Sequence, residues 1–185
     1  MSMRRETALK EITEGIEGVR IISDVNVPKV TAEDVVANRK LCEKNLCGNY
    51  GSSWTCPPNC EDVESCVNKL SKYSGADVLS IRYENLDFSD GKSVERMMGG
   101  FQDICRDVML KCREADIDVL ALADGKCNYC ERCAFLDGDP CRHPDMRVAP
   151  ISAHGIDMKR FLNSIGEDFV FEKNAATLYG IFLFK

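Results

Sequence analysis

Residues 124–144 read DGKCNYCERCAFLDGDPCRHP, and this stretch sets the expectations for the rest of the chain. Its cysteines follow the spacing C-x2-C-x2-C-x7-C, at Cys127, Cys130, Cys133 and Cys141. Thiols two residues apart cannot all lie on one side of a strand or helix, but they can surround a compact inorganic core. In a cubane cluster each thiolate binds a different iron, so the spacing predicts a [4Fe–4S] site.

Structural zinc is the alternative for this second cysteine loop. Zinc sites usually pair two short C-x2-C knuckles from separate places, and three cysteines in a row would crowd one tetrahedral ion. Pro140 and Pro144 flank the last cysteine, much as a proline follows the last cysteine of bacterial ferredoxin runs. Arg142 and His143 stand beside it, either to offset the cluster's negative charge or simply exposed. The ligand spacing therefore favours iron–sulfur over zinc.

A first cysteine loop lies about ninety residues earlier. Residues 42–60 read CEKNLCGNYGSSWTCPPNC, with the less specific spacing C-x4-C-x8-C-x3-C at Cys42, Cys47, Cys56 and Cys60. A second iron–sulfur cluster, a zinc ion or no metal are all compatible with this spacing. If Cys60 is not a ligand, one iron has an open position and becomes a possible Lewis-acid catalyst.

Composition limits the class of protein. The chain has 185 residues, 44% of them hydrophobic, which suits one domain over residues 1–185 with a real core. The net charge of −6 argues against nonspecific nucleic-acid binding. No apolar run would span a bilayer or act as a signal peptide, so we expect no membrane contact and a cytoplasmic location. Eleven cysteines, an odd number, in a reducing compartment are more typical of metal ligands than of disulfides.

Hydrophobic periodicity predicts an α/β fold. The expected helices begin after Thr31, with Asp34 as the capping-box acid, and cover Asp62–Tyr73, Ser93–Ala115 and a segment capped by Asp157. The expected strands are Val19–Val27, Ala76–Tyr83, Val119–Ala123, Phe169–Phe171 and Leu178–Phe184. Val119–Ala123 is unbroken and apolar, as in strands buried on both faces, and it runs directly into the second cysteine loop. We predict a single domain with a mixed sheet, flanked by helices, and both cysteine loops at one edge.

Other candidate residues could have either a structural or a functional role. Cys66, Cys105 and Cys112 lie on apolar helix stripes and are expected to pack in the core. Trp54, the only tryptophan, either shields a cluster from water or makes a plain packing contact. His154 precedes a helix start, and we expect it to be a polar surface residue rather than a metal ligand.

The two loops together resemble the DUF2284 family of predicted metal-binding proteins. Its pattern of two cysteines and Y-G-x-x-W-x-C-P-P matches the first loop, from Tyr50 to Pro58. Its C-x2-C-x2-C, P-C-R-x-P and G-I-D segments match the second loop and residues 155–157. The resemblance implies metal or iron–sulfur binding and little about chemistry. Two positions depart from it: Cys60 is not a shared position, and Ser152 stands near the place of a glutamate.

Three functions are compatible with these motifs. The first is electron transfer to a partner redox enzyme, with two neighbouring clusters as the path and an acidic surface for docking. The second is an enzyme whose first-loop cluster has an open iron for a small molecule, in sulfur or one-carbon chemistry. The third is a zinc-stabilised adaptor. No P-loop or G-x-G-x-x-G is present, so nucleotide binding has no support.

Overall fold

Five strands form one mixed sheet. The computed structural model describes residues 9–185. The strands are β1 (Val19–Val25), β2 (Gly75–Tyr83), β3 (Val119–Ala123), β4 (Ala149–Pro150) and β5 (Ala176–Phe184). They lie in the order β1-β2-β5-β3-β4, with antiparallel pairing throughout except between β3 and β4, which are parallel. The expected mixed α/β sheet is confirmed.

Within residues 19–185 four α-helices flank the sheet, and two of them begin directly after the cap residue that the sequence predicts, Thr31 or Asp157. They are α1 (Ala32–Cys42), α2 (Val63–Leu70), α3 (Gly91–Glu114) and α4 (Met158–Ser164). At α1 the Asp34 backbone N–H donates to the Thr31 hydroxyl at 3.2 Å, and the Thr31 N–H donates to the Asp34 carboxylate at 2.9 Å. This reciprocal capping box is the predicted one, and it fixes where the helix that delivers Cys42 begins.

Helices and loops cover both faces of the sheet. Side chains alternate along the central strand β5, so each face receives its own set of apolar residues. Leu178, Phe182 and Phe184 face α3 and pack with Phe101 and Val108. Tyr179, Ile181 and Leu183 face the opposite layer, which is formed by residues of α2 and α4 and the segment around Ile151. Each large apolar side chain buried in these layers contributes about 1.5–3 kcal/mol to folding. The result is an α/β/α sandwich whose central strands are buried on both sides.

Two strand assignments differ from the sequence-based expectation. Residues 169–171 are not a strand, and Phe171 stays 87% exposed while its ring packs edge-on against Phe169. Strand β4 was not predicted, because a two-residue strand carries no periodic signal. Among the described residues, no helix is long and apolar enough to cross a bilayer.

One close backbone contact joins α1 to the turn that follows β4. Gly155 follows the turn at residues 152–154 and has a φ of +77°. A Cβ at this position would lie 2.7 Å from the Val35 backbone nitrogen in α1. Only glycine allows this approach. Farther along α1, Arg39 donates from Nε to the Ala153 carbonyl at 3.1 Å, and Cys42 at the end of the helix lines a cavity with Ser152.

Candidate metal centre

The four thiols of the second loop surround one small cavity. Its lining consists of Cys127, Cys130, Cys133 and Cys141, with Tyr129, His143 and Arg147 from the same region and Ser53, Trp54 and Thr55 from the first loop. The loop leaves the carboxyl end of β3, where the sequence placed it. Residues that are 14 positions apart are thus brought to a common centre, as one polynuclear group would require.

A buried arginine supports this loop from behind. Arg106 on α3 donates from Nε to the Met146 carbonyl at 2.9 Å and from a terminal nitrogen to Asn128 Oδ1 at 2.6 Å. Its charge is paired with Asp103 at 2.6 Å, and its guanidinium lies 5.2 Å from the centre of the Tyr129 ring. These contacts hold both ends of the loop against α3. Sequence analysis missed Arg106, since it lies on the apolar stripe of a long helix.

The start of the loop is fixed at the end of β3. Gln102, fully buried on α3, donates from Nε2 to the carbonyls of Asp124 and Gly125, both at 3.0 Å. The Asp124 carboxylate accepts a hydrogen bond from the Tyr179 backbone N–H at 2.8 Å. Burial raises the pKa of Asp124 to about 6, and the hydrogen bond from Tyr179 only partly offsets that effect.

Three first-loop thiols share a second cavity. Cys42, Cys47 and Cys56 line a space of about 150 Å³, together with Tyr50, Lys126 and Ser152. Burial raises the pKa of Cys42, and a hydrogen bond with Ser152 lowers it. Burial also raises the pKa of Cys56, with Ser53 acting in the opposite direction. The thiols of Cys42 and Cys56 are therefore protonated without a metal, and a bound metal would displace their protons.

Cys60 lines a different cavity from the other first-loop thiols. It borders a space of about 170 Å³ that also includes Glu61, Lys69 and His154. Burial raises its pKa, and the nearby Arg39 charge lowers it. Cys60 therefore does not line the cavity that Cys42, Cys47 and Cys56 share, although the Cys42 thiol is near enough to contribute to raising its pKa.

The two loops touch each other. The Cys127 backbone N–H donates to the Thr55 hydroxyl at 3.3 Å. Trp54 Nε1–H donates to the Asp139 carbonyl at 3.0 Å, and its ring meets Phe135 edge-on with centroids 5.2 Å apart. Lys126 lines the first-loop cavity, whereas the next residue lines the second-loop cavity. The two cavities are therefore adjacent.

A third group of donors was not foreseen from the sequence. Within residues 9–185, Glu61, Cys66 and His154 are the one set of three or more Cys, His, Asp or Glu whose ligand atoms all lie within 4.8 Å of one another. His154 is 4% exposed, so the expectation of a surface histidine is wrong. Its pKa is lowered because burial disfavours the charged imidazolium.

Two of the three cysteines outside the loops have the packing role that the sequence predicts. Cys105 and Cys112 are buried in the apolar layer between α3 and the sheet, which confirms a packing role. Cys66 is also buried, yet its sulfur lies 3.1 Å from an Arg39 terminal nitrogen, so its surroundings are polar. Burial raises the pKa of Cys66 to about 12. All eleven cysteines are unpaired thiols.

Comparison with known proteins identifies the family. No curated protein and no solved structure matches the chain. Residues 24–184 match the family described as "Predicted metal-binding protein (DUF2284)", and this range contains both cysteine loops and the Glu61, Cys66 and His154 group. The match covers most of the 185 residues, so the chain belongs to the DUF2284 family of predicted metal-binding proteins.

Proposed function

We propose that this is a cytoplasmic iron–sulfur protein that carries electrons to a partner redox enzyme. The second loop would hold one [4Fe–4S] cluster through Cys127, Cys130, Cys133 and Cys141, and the first loop a second cluster through Cys42, Cys47 and Cys56. The observation that carries the proposal is the single cavity lined by all four second-loop thiols. A bound cubane supplies one-electron redox chemistry.

The spacing of the loop thiols argues against a single ion. Zinc–sulfur bonds of 2.3 Å at tetrahedral angles would place the sulfurs about 3.8 Å apart. Within the described part of the chain, no three of the eight loop sulfurs lie within 4.8 Å of one another. Thiolates that bind different irons of one cube are farther apart than those on one ion. This spacing argues against one ion held by three of these thiols, and it is compatible with the larger group.

The contact between the loops supports an electron path. Cys56 follows Thr55 directly, and the Thr55 hydroxyl accepts the hydrogen bond from the Cys127 N–H. A short route of covalent bonds and one hydrogen bond thus joins a ligand of one loop to a ligand of the other. Trp54 and Tyr129 line the second-loop cavity, and beside a bound cluster their rings would reduce the access of water. Exclusion of water is one of the factors that set cluster potentials.

Exposed apolar side chains near the loops support docking of a protein partner. Leu46, next to Cys47, is 90% exposed, and Leu136 within the second loop is 47% exposed. Tyr129, between two second-loop cysteines, is 41% exposed. Small apolar groups at a polar surface are typical of transient redox contacts, where interfaces are small.

The decisive experiment is an assay of iron, sulfide and zinc on anaerobically purified protein. We expect about eight irons and eight sulfides per chain, with broad absorption in the brown region. Cys133→Ser should lower the iron content, whereas Cys112→Ser, which removes a buried thiol from α3, should leave it unchanged. A colourless preparation with zinc in the loops and no iron would overturn the proposal in favour of the zinc adaptor.

A second candidate function follows from the position of Cys60. Three first-loop thiols and the exposed Ser152 border the cavity of about 150 Å³, and Cys60 borders another one. A cluster with three cysteine ligands would leave one iron open to a small molecule, which favours an enzyme in sulfur or one-carbon chemistry. If so, Cys60→Ser leaves iron content and the reduced EPR spectrum unchanged, whereas Cys47→Ser removes the first-loop signal. Loss of iron in Cys60→Ser would exclude the open position.

A further inference from the structure

The group formed by Glu61, Cys66 and His154 lies apart from both thiol cavities. None of the three residues lines either of those cavities, and Glu61 and His154 border the separate space of about 170 Å³. We propose that Glu61, Cys66 and His154 bind a single divalent ion of borderline softness, with zinc as the leading candidate. This site does not depend on the clusters proposed above.

The imidazole of His154 is oriented as a ligand. Its Nδ1 lies 3.1 Å from the Pro150 carbonyl oxygen, which can only accept a hydrogen bond, so Nδ1 carries the proton. The lone pair is then on Nε2, which faces Glu61 Oε2 at 4.0 Å. Metal-bound histidines almost always donate their second ring N–H to a carbonyl or carboxylate in this way. The ring is thus held in the tautomer that a metal needs.

The Glu61 carboxylate divides its two oxygens between different partners. Lys69 pairs with Oε1, while Oε2 lies 4.0 Å from His154 Nε2 and 3.8 Å from Cys66 Sγ. Zinc bond lengths at tetrahedral angles require about 3.3–3.5 Å between such ligand atoms. The two distances to Glu61 Oε2 therefore need to shorten by about half an ångström or less, which a rotation of the partly exposed Glu61 side chain can supply. The ligand atoms of Cys66 and His154 already lie within 4.8 Å of each other.

Arg39 ties the three chain segments together. It donates from Nε to the Ala153 carbonyl at 3.1 Å, and one terminal nitrogen lies 2.7 Å from the Glu61 carbonyl and 3.1 Å from Cys66 Sγ. A hydrogen bond from a guanidinium stabilises a thiolate, because the acceptor is then charged. Together with Lys69, it offsets the two negative charges that an ionised Glu61 and Cys66 place next to each other.

The donor set points to the class of metal. One thiolate, one imidazole and one carboxylate suit zinc, cobalt or ferrous iron, whereas calcium and magnesium prefer oxygen ligands alone. Three protein ligands with a fourth position open to a cavity are typical of non-structural zinc sites. Here the adjoining cavity of about 170 Å³ is also lined by Cys60, so water or that thiol can complete the coordination.

The test measures zinc on the full chain with its clusters in place. Anaerobically purified protein is dialysed against Zn²⁺ and then against buffer, and zinc and iron are counted by mass spectrometry. Zinc K-edge absorption then reports the ligand atoms without interference from iron. We expect one zinc per chain with a single sulfur ligand, or two sulfurs if Cys60 also binds, and nitrogen or oxygen for the rest.

Two variants with matched controls assign the ion to this group. Cys66→Ser and Glu61→Gln should lower zinc affinity by more than the roughly 10–100-fold typical of an outer-shell change, with iron content unchanged. Cys112→Ser and Glu64→Gln make the same chemical changes elsewhere and should retain the zinc. A zinc shell of four sulfurs, or equal zinc in wild type and Cys66→Ser, would overturn the inference. Absence of iron would instead contradict the cluster proposal, so the two failures are distinguishable.

Discussion

The backbone N–H of Cys127 donates a hydrogen bond to the Thr55 hydroxyl at 3.3 Å, across 72 positions of sequence. Thr55 is buried, and its hydroxyl also lies 3.2 Å from that of Ser53. Thr55 directly precedes the candidate ligand Cys56, so this contact joins the first loop to the backbone of Cys127, a candidate ligand of the second loop. The hydrogen bond links the two cysteine loops, so we expect a substitution in one loop to change the stability of the other.

Replacing Thr55 by valine tests this contact. The shape of the side chain is kept, but the partly buried N–H of Cys127 loses its acceptor, which costs about 1–3 kcal/mol of unfolding free energy. Denaturant unfolding of the variant measures the loss. Ser71→Ala removes an exposed hydrogen bond to the Asn68 carbonyl and should change stability by less than about 0.5 kcal/mol. Equal effects of the two substitutions would contradict a structural role for Thr55.

The parts of the fold that sequence could predict are those with local signals. The capping box at Thr31 and Asp34 and the apolar run Val119–Ala123 appear where the pattern placed them. His154 was misjudged because its burial comes from segments distant in sequence, among them Glu61 and the carbonyl of Pro150. No local pattern reports such a contact.

The candidate site shows the same division between local and distant signals. Spacing alone grouped the four second-loop cysteines, which do line one cavity. That Cys60 lines a different cavity from the other first-loop thiols depends on how the loop folds, and the loop has no periodicity. The role of Arg106 in supporting the loop could not be predicted from sequence either, because hydrophobic periodicity places a charged residue of an amphipathic helix on the exposed face.

Gly155→Ala should be far more destabilising than Gly138→Ala. Both glycines have a φ of +77°, so both alanines pay the left-handed penalty of roughly 1–2 kcal/mol. The Cβ at 155 would also lie 2.8 Å from Val35 Cα, whereas position 138 has nothing within 4 Å. We therefore expect an additional loss of about 1–3 kcal/mol at 155, measured by denaturant unfolding. Similar losses at the two positions would mean that α1 does not pack this closely on the turn.

Gly180→Ala should be partly rescued by shortening Cys105. Gly180 lies in the middle of β5, and a Cβ there would come within 2.7 Å of Cys105 Sγ on α3. Such overpacking in a full core costs about 1–3 kcal/mol. In Gly180→Ala with Cys105→Ala the added methyl occupies the space of the removed sulfur, so the double variant should be more stable than the sum of single effects predicts. Strict additivity in the cycle would disprove direct contact between the two positions.

Asp124 should make the fold less stable as pH rises through the mildly acidic range. Its pKa is raised from 3.8 to about 6 in the folded protein because burial disfavours the carboxylate. Between these values the native state holds more protons than the unfolded chain, so the unfolding free energy falls from about pH 4 to about pH 6 and is level above that. One pKa unit corresponds to about 1.4 kcal/mol, which sets an upper limit of about 3 kcal/mol on the change.

Asp124→Asn isolates this effect. The amide oxygen can still accept the hydrogen bond from the Tyr179 N–H, but the side chain no longer ionises. Unfolding by guanidinium at pH 5 and pH 7 should show a smaller loss of stability in the variant than in wild type. Asp107→Asn makes the same change at an exposed position of α3 and should keep the wild-type pH dependence. The comparison with wild type at each pH removes any acid sensitivity of bound metal, because that sensitivity is common to all three proteins. If Asp124→Asn follows the wild-type curve, the carboxylate is better solvated than its position at the end of β3 indicates.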